Sequence, residues 1–121
     1  MKRAIFLMSD TGGGHRAAGR AIEAALNIRY PGAFEAYYVD VFREYTPPPM
    51  KYAPEIYPKW VKHSITTYGW YFWVFDRLMQ LPLARNTLPT LIAEDRVQKL
   101  VSDYQPDIII VLHGAFSRFV V

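Results

Sequence analysis

The chain has 121 residues, 51% of them hydrophobic and 21% charged, which is the composition of an ordinary folded domain and excludes disordered, collagen-like and coiled-coil classes. Zero cysteines exclude a disulfide framework, a thiolate zinc site and a cysteine nucleophile, and they fit a reducing compartment. The net charge of +3 is unevenly spread: residues 43–85 hold six of the 14 Lys and Arg against three of the 11 acids, so the middle of the chain carries the basic excess.

At this length roughly two-thirds of the unfolded surface is buried on folding, enough for a single domain over 1–121 and not for two. Ala4-Ile5-Phe6-Leu7-Met8 is apolar without alternation, the pattern of a strand buried on both faces. From His15 the period turns helical. Ala18, Ile22, Ala25 and Leu26 form one stripe, with Arg16, Arg20, Glu23 and Asn27 opposite, and the helix is expected to stop near Tyr30, before Pro31-Gly32. Phe34 to Val41 is rich in aromatic and β-branched residues and reads as a second strand. Such a strand, helix, strand unit implies a right-handed crossover and a parallel sheet with helices on both faces.

Pro47-Pro48-Pro49, with Pro54 and Pro58 behind, marks a helical aromatic and basic insertion over 43–85, with short helices expected from Lys59 to Tyr68 and from Trp70 to Gln80. Pro89 fits the first turn of a further helix whose stripe is Ala93, Val97, Leu100, Val101 and Tyr104. Gln105-Pro106-Asp107 ends it, and Ile108 to Leu112 reads as a third buried strand ending at His113-Gly114. The chain stops at Phe119-Val120-Val121, where an α/β pattern ordinarily continues, so a truncated domain is expected. The apolar runs are far below the roughly 18 residues of a spanning helix, and the run behind Met1-Lys2-Arg3 is too short for a secretory signal. The expected location is cytoplasmic.

The chemistry concentrates in Ser9-Asp10-Thr11-Gly12-Gly13-Gly14-His15-Arg16. Glycines between a buried strand and a helix let the backbone approach a ligand, and the helix N-terminus favours an anion, so Thr11, Gly12, Gly13 and Gly14 read as a phosphate or diphosphate cradle, or as a tight turn that binds nothing. No Gly-Lys-Ser/Thr follows, which excludes a P-loop. Gly12 to Ala17 also satisfies the G-x-G-x-x-A form of a dinucleotide fingerprint, with Asp40 where a ribose-binding acid belongs. His15 is placed to face the loop's ligand, and an imidazole suits general base work near neutral pH. Asp10 is a candidate either to orient His15 or to cap the helix. His113 ends a strand at the edge where ligands of parallel sheets bind. His63, on an expected helix, reads as a surface residue. Trp70-Tyr71-Phe72-Trp73-Val74-Phe75 spans more than one helical turn, so its side chains cannot all reach one core. With Trp60, Lys59, Lys62 and neighbouring cations it has the composition of a lipid-facing segment, or packs beneath the insertion; no nucleic-acid motif is present.

Ser9 to Ala18, Val39-Asp40-Val41-Phe42, the aromatic insertion, and Gln105 to Ile110 leading to His113 together resemble the N-terminal domain of monogalactosyldiacylglycerol synthases and the related bacterial diacylglycerol glucosyltransferases. The resemblance implies the N-terminal half of a GT-B fold, a Rossmann-like domain that binds the lipid acceptor, while a C-terminal domain absent from this chain binds a UDP-sugar. It implies transfer of the sugar to diacylglycerol with inversion, no cofactor and no metal, peripheral association with anionic membrane lipid, His15 as the catalytic base and the three glycines as the glycine-rich loop. Gly114 stands where the family usually has proline. Two further readings remain open at this point: a stand-alone dinucleotide-binding module of Rossmann type, and a non-catalytic lipid-surface adaptor.

Overall fold

The computed structural model describes residues 1–11, 13–46, 48 and 50–114, the side chains of 88–94 excepted. Three parallel strands, β1 (Lys2–Met8), β2 (Phe34–Asp40) and β3 (Ile108–Val111), form a sheet in the order β2-β1-β3. Burial of β1 between two neighbours explains its unbroken apolar run: Ile5, Phe6 and Met8 are 0% exposed. The chain passes from β1 to β2 on one side and then returns across β1 to β3 on the other. That reversal opens a crevice beyond the carboxyl ends of β1 and β3, where open α/β sheets bind ligands.

Strand alternation sends Ile5 and Leu7 to one face, where they pack with Val39 and with Leu100 of α5 (Pro82–Tyr104). Burying each of these aliphatic side chains contributes about 1.5–3 kcal/mol. On the other face Phe6 stacks on Tyr38 at 4.9 Å, beneath α1 (Gly14–Arg29). Helices therefore cover both faces, as an α/β Rossmann-like sheet requires.

The face that α1 turns to the sheet is not the expected one. Ala18, Ile22 and Ala25 are exposed and Leu26 is half-buried, whereas Gly19 is the buried residue of the helix. A Cβ at Gly19 would lie 2.7 Å from Tyr38 Cε1 and 3.0 Å from Leu112 Cδ1, so the missing side chain is what lets helix and sheet approach. Tyr38 fills the space. Its hydroxyl donates to Glu23 at 2.5 Å and its ring lies 5.6 Å under the Arg16 guanidinium, which brings to the sheet two charged residues that periodicity assigned to solvent. Burial, reinforced by the Glu23 bond, pushes the Tyr38 phenol up to about 12.

Helix boundaries also move. Strand β2 ends at Asp40, one residue early, because Asp40 accepts from the Arg43 amide and thereby opens a short helix, α2 (Val41–Tyr45). A 3-10 turn at Met50–Tyr52 leads into α3 (Ala53–His63), which starts with Pro54 in its first turn and contains Pro58, so it begins and ends earlier than expected. Ser64 closes α3 and caps α4 (Ile65–Met79) by accepting from the Thr67 amide, making a one-residue corner. Helix α5 starts at Pro82, seven residues before Pro89, because the extended Leu81 and the fixed φ of Pro82 suit a first turn there. In its stripe Leu100 is buried, Val97 and Tyr104 are half-buried, and Val101 is 41% exposed; the side chains of Pro89 and Ala93 lie outside the described residues. No described helix is long and apolar enough to cross a membrane.

Helix α4 has no buried residue. Trp70 is 67% exposed and Phe72 and Trp73 are each 57% exposed, a contiguous aromatic surface.

Candidate functional site

The site is assembled where β1 and β3 end. The Leu112 amide donates to the Leu7 carbonyl at 2.9 Å, extending the pairing of the two strands and setting His113 beside the residues that follow β1. Gly13, with φ of +81°, is the left-handed residue that turns the chain from the loop into α1, a conformation open to glycine at little cost. Among the described residues no side chain caps the helix, so its first-turn N–H groups and the positive end of its dipole are left for an anion. Gly12, also assigned to the cradle, lies outside the described residues; Thr11 is half-buried and Gly14 is exposed at the first helical position.

His15 follows, half-buried on the first turn of α1. Its ring centroid is 4.8 Å from that of His113, with the planes tilted by 50°, and His113 in turn meets the Phe42 ring edge-on at 5.6 Å. Residues 98 apart in sequence thus face each other at one strand edge. Burial lowers the His113 imidazole below its ordinary range, the charge of His15 lowers it further, and Asp40 pulls it back up.

The two acids do other things than expected. Asp10 neither caps α1 nor orients His15; both its oxygens receive Arg16, Oδ1 from Nε at 3.0 Å and Oδ2 from Nη2 at 2.9 Å, a fork that straps the loop to the helix. That bond from Arg16 is the main reason its carboxyl lies below the usual carboxylate range. Asp40 is 4% exposed and accepts the Asp10 amide at Oδ2 (3.0 Å) and the Arg43 amide at Oδ1 (3.1 Å). Each oxygen is thus committed to the main chain, which leaves the acid required by a dinucleotide fingerprint holding the loop rather than presented to a ribose. Next to it Ser9 is fully buried, and its hydroxyl has no hydrogen-bond partner among the described residues.

The aromatic residues separate into two kinds. Trp60 is half-buried: its indole donates to Thr67 Oγ1 at 2.9 Å and its ring lies 4.9 Å from Tyr71, so it joins α3 to α4. Trp70 and Trp73 face outward, with Arg77 over the Trp73 ring at 5.4 Å, and Lys59, Lys62 and His63 are exposed on α3. Among the described residues no group of three metal-ligating side chains comes together. Sequence reasoning missed Gly19, Tyr38 and the capping role of Asp40. The available signals were a small residue one turn into the helix and an acid directly before Val41-Phe42.

The arrangement can hold an anion at a helix N-terminus and accept a proton beside it. The profile of the monogalactosyldiacylglycerol (MGDG) synthase family matches residues 15–121. The chain is 38% identical over 112 residues to monogalactosyldiacylglycerol synthase 1, chloroplastic, of Arabidopsis thaliana, covering 93% of this chain and 21% of that protein. It is 39% identical over 113 residues to a probable monogalactosyldiacylglycerol synthase, chloroplastic, of Nicotiana tabacum, and 38% identical over 113 residues to the corresponding synthase of Spinacia oleracea, with the same coverage of each chain. The chain spans about a fifth of the length of these curated relatives. No solved structure matches it.

Proposed function

Because the chain belongs to the monogalactosyldiacylglycerol synthase family, we propose that it is the acceptor-binding part of a glycolipid-forming glycosyltransferase. In this reading residues 1–121 form one Rossmann-like domain, the N-terminal half of a GT-B enzyme. Diacylglycerol is the acceptor, a UDP-sugar held by a second domain is the donor, and the sugar is transferred with inversion. The observation that carries the reading is His15 on the first turn of α1, two residues after the left-handed Gly13 and at the crevice beyond β1 and β3.

The chemistry follows from what an alcohol can do. A hydroxyl is too weak an acid to ionise first at neutral pH, so its proton must leave as its oxygen attacks. His15 takes that proton while the oxygen bonds to the anomeric carbon. The bond from that carbon to the phosphate oxygen breaks in the same step, and UDP departs with the electron pair. A single in-line displacement inverts the carbon. Gly13, Gly14 and the N–H groups of the first turn of α1 favour negative charge near the reaction, and the excluded capping side chain keeps those donors available. The outward Trp70 and Trp73, with Lys59 and Lys62, meet a membrane surface peripherally, the rings at headgroup depth and the cations on anionic lipid.

The test is His15→Ala in the chain joined to the remainder of a synthase. Turnover is expected to fall by a factor on the order of 10² to 10⁴, the contribution of a positioned general base. Affinity for the UDP-sugar is expected to hold, since the donor is bound elsewhere. Full activity in the variant would overturn the assignment of the base.

A further inference from the structure

His113 lies two residues beyond β3 and is half-buried, with a second imidazole against it. The two ring centroids are 4.8 Å apart at a 50° tilt, so the rings are in contact distance and neither is screened from the other by bulk water. Phe42 closes a further side of His113, edge-on at 5.6 Å. These contacts draw on α1, on α2 and on the segment just beyond β3, which no local sequence rule brings together.

We propose that His113 is a positioning residue for His15, the two imidazoles forming a coupled pair that holds one proton and not two. Two imidazolium charges at this separation repel, and a partly buried ring cannot recover the difference from water. His15, on the first turn of α1, is the member that takes the proton. Neutral His113 then sets an uncharged ring against His15 instead of a competing cation, and its Phe42 contact fixes the plane against which His15 rests. The charged groups facing the pair agree with this division. Asp40, at the end of β2, is the carboxylate that acts on His113, and its two oxygens already accept the Asp10 and Arg43 amides. Asp10 and Arg16, flanking His15 in sequence, neutralise each other as a forked ion pair. Burial and the His15 charge both press His113 towards its neutral form.

The consequence for catalysis rests on the proposed function, whereas the pairing itself does not, and the experiment separates the two. The chain has three histidines, His15, His63 and His113, so imidazole C–H resonances of the labelled 121-residue chain are assignable by single substitution. Their titration is followed by NMR in the unsubstituted chain and in His15→Gln and His15→Phe, both of which keep a side chain against His113 but remove the second proton site. Removal of the coupling is expected to raise the His113 midpoint by about one pH unit or more, the size that defines interacting sites. Burial holds back the remainder of the shift, and His63 serves as the internal control. A smaller rise in variants whose remaining amide spectrum stays folded overturns the pairing, even if His15→Ala abolishes turnover in the joined enzyme. A rise of the expected size supports the pairing even if that turnover is unaffected.

Discussion

Adding one methyl group at two glycines is expected to move stability in opposite directions. At Gly69, inside α4, an added Cβ meets nothing within 4 Å, so Gly69→Ala is expected to stabilise by about 0.5–1 kcal/mol through helix propensity alone. At Gly19 the same propensity gain is opposed by a Cβ 2.7 Å from Tyr38 Cε1 and 3.0 Å from Leu112 Cδ1. Relief requires the Tyr38 ring to move by about 1 Å, because ordinary carbon contacts lie near 3.5–4.0 Å. That ring is held on three sides, by the Phe6 stack at 4.9 Å, by the 2.5 Å bond to Glu23 and by Arg16 over its face. Overpacking of such a site costs about 1–3 kcal/mol, and straining a hydrogen bond to a charged acceptor adds to it. The net expectation is a loss of about 1–2 kcal/mol, or roughly 4–8 °C in Tm for a chain of this size. Urea unfolding followed by circular dichroism on the unsubstituted chain and the two variants gives both signs in one experiment. A Gly19→Ala variant as stable as the parent would refute the close approach of α1 to the sheet.

Asp40→Asn sets an amide NH2 against one of two main-chain N–H donors in a site 4% exposed, and is expected to cost about 1–3 kcal/mol in the same urea assay; an unchanged midpoint would remove its role in holding the loop. The Asp10 carboxyl titrates lower in the folded chain than its ordinary 3.8, so its contribution is present above that value and lost as pH falls through the folded-state one. Asp10→Asn is therefore expected to flatten the acid limb of stability below pH 3.8, and an acid limb identical to the parent's would argue against the Arg16 strap. Anionic vesicles are expected to bind the chain more weakly as salt rises, and Trp70→Ala with Trp73→Ala to reduce binding further in a sedimentation assay. Equal partitioning onto neutral vesicles would remove the electrostatic part.

Much of the fold was legible in the sequence because it rests on short-range rules. The run Ala4 to Met8 lies buried between two strands as expected, a glycine turn before His15 starts a helix, and Gln105-Pro106 ends one, whereas Ile108 to Val111, expected to be equally buried, pairs with β1 alone among the described strands and has Ile108 37% exposed. Two of the points where the sequence misleads share a cause. Hydrophobic periodicity weighs side chains, and the contact that seats α1 is made by Gly19, which has none; the face was decided by Tyr38 arriving from β2. Likewise an acid at a strand end reads as a ribose ligand, and only the approach of the Asp10 and Arg43 amides commits both oxygens of Asp40 to the main chain.

The local sequence determined the elements, the parallel sheet and the glycine loop with His15 behind it, because propensity, glycine conformation and strand burial act over a few residues. Which strand ends meet, and therefore that His113 and Phe42 stand against His15, was decided by the tertiary structure alone. The order β2-β1-β3 places β3 beside β1 across roughly 100 residues that include β2, and no periodicity within a segment carries that choice. It is set by the chain reversing direction across β1, which is also what opens the crevice there.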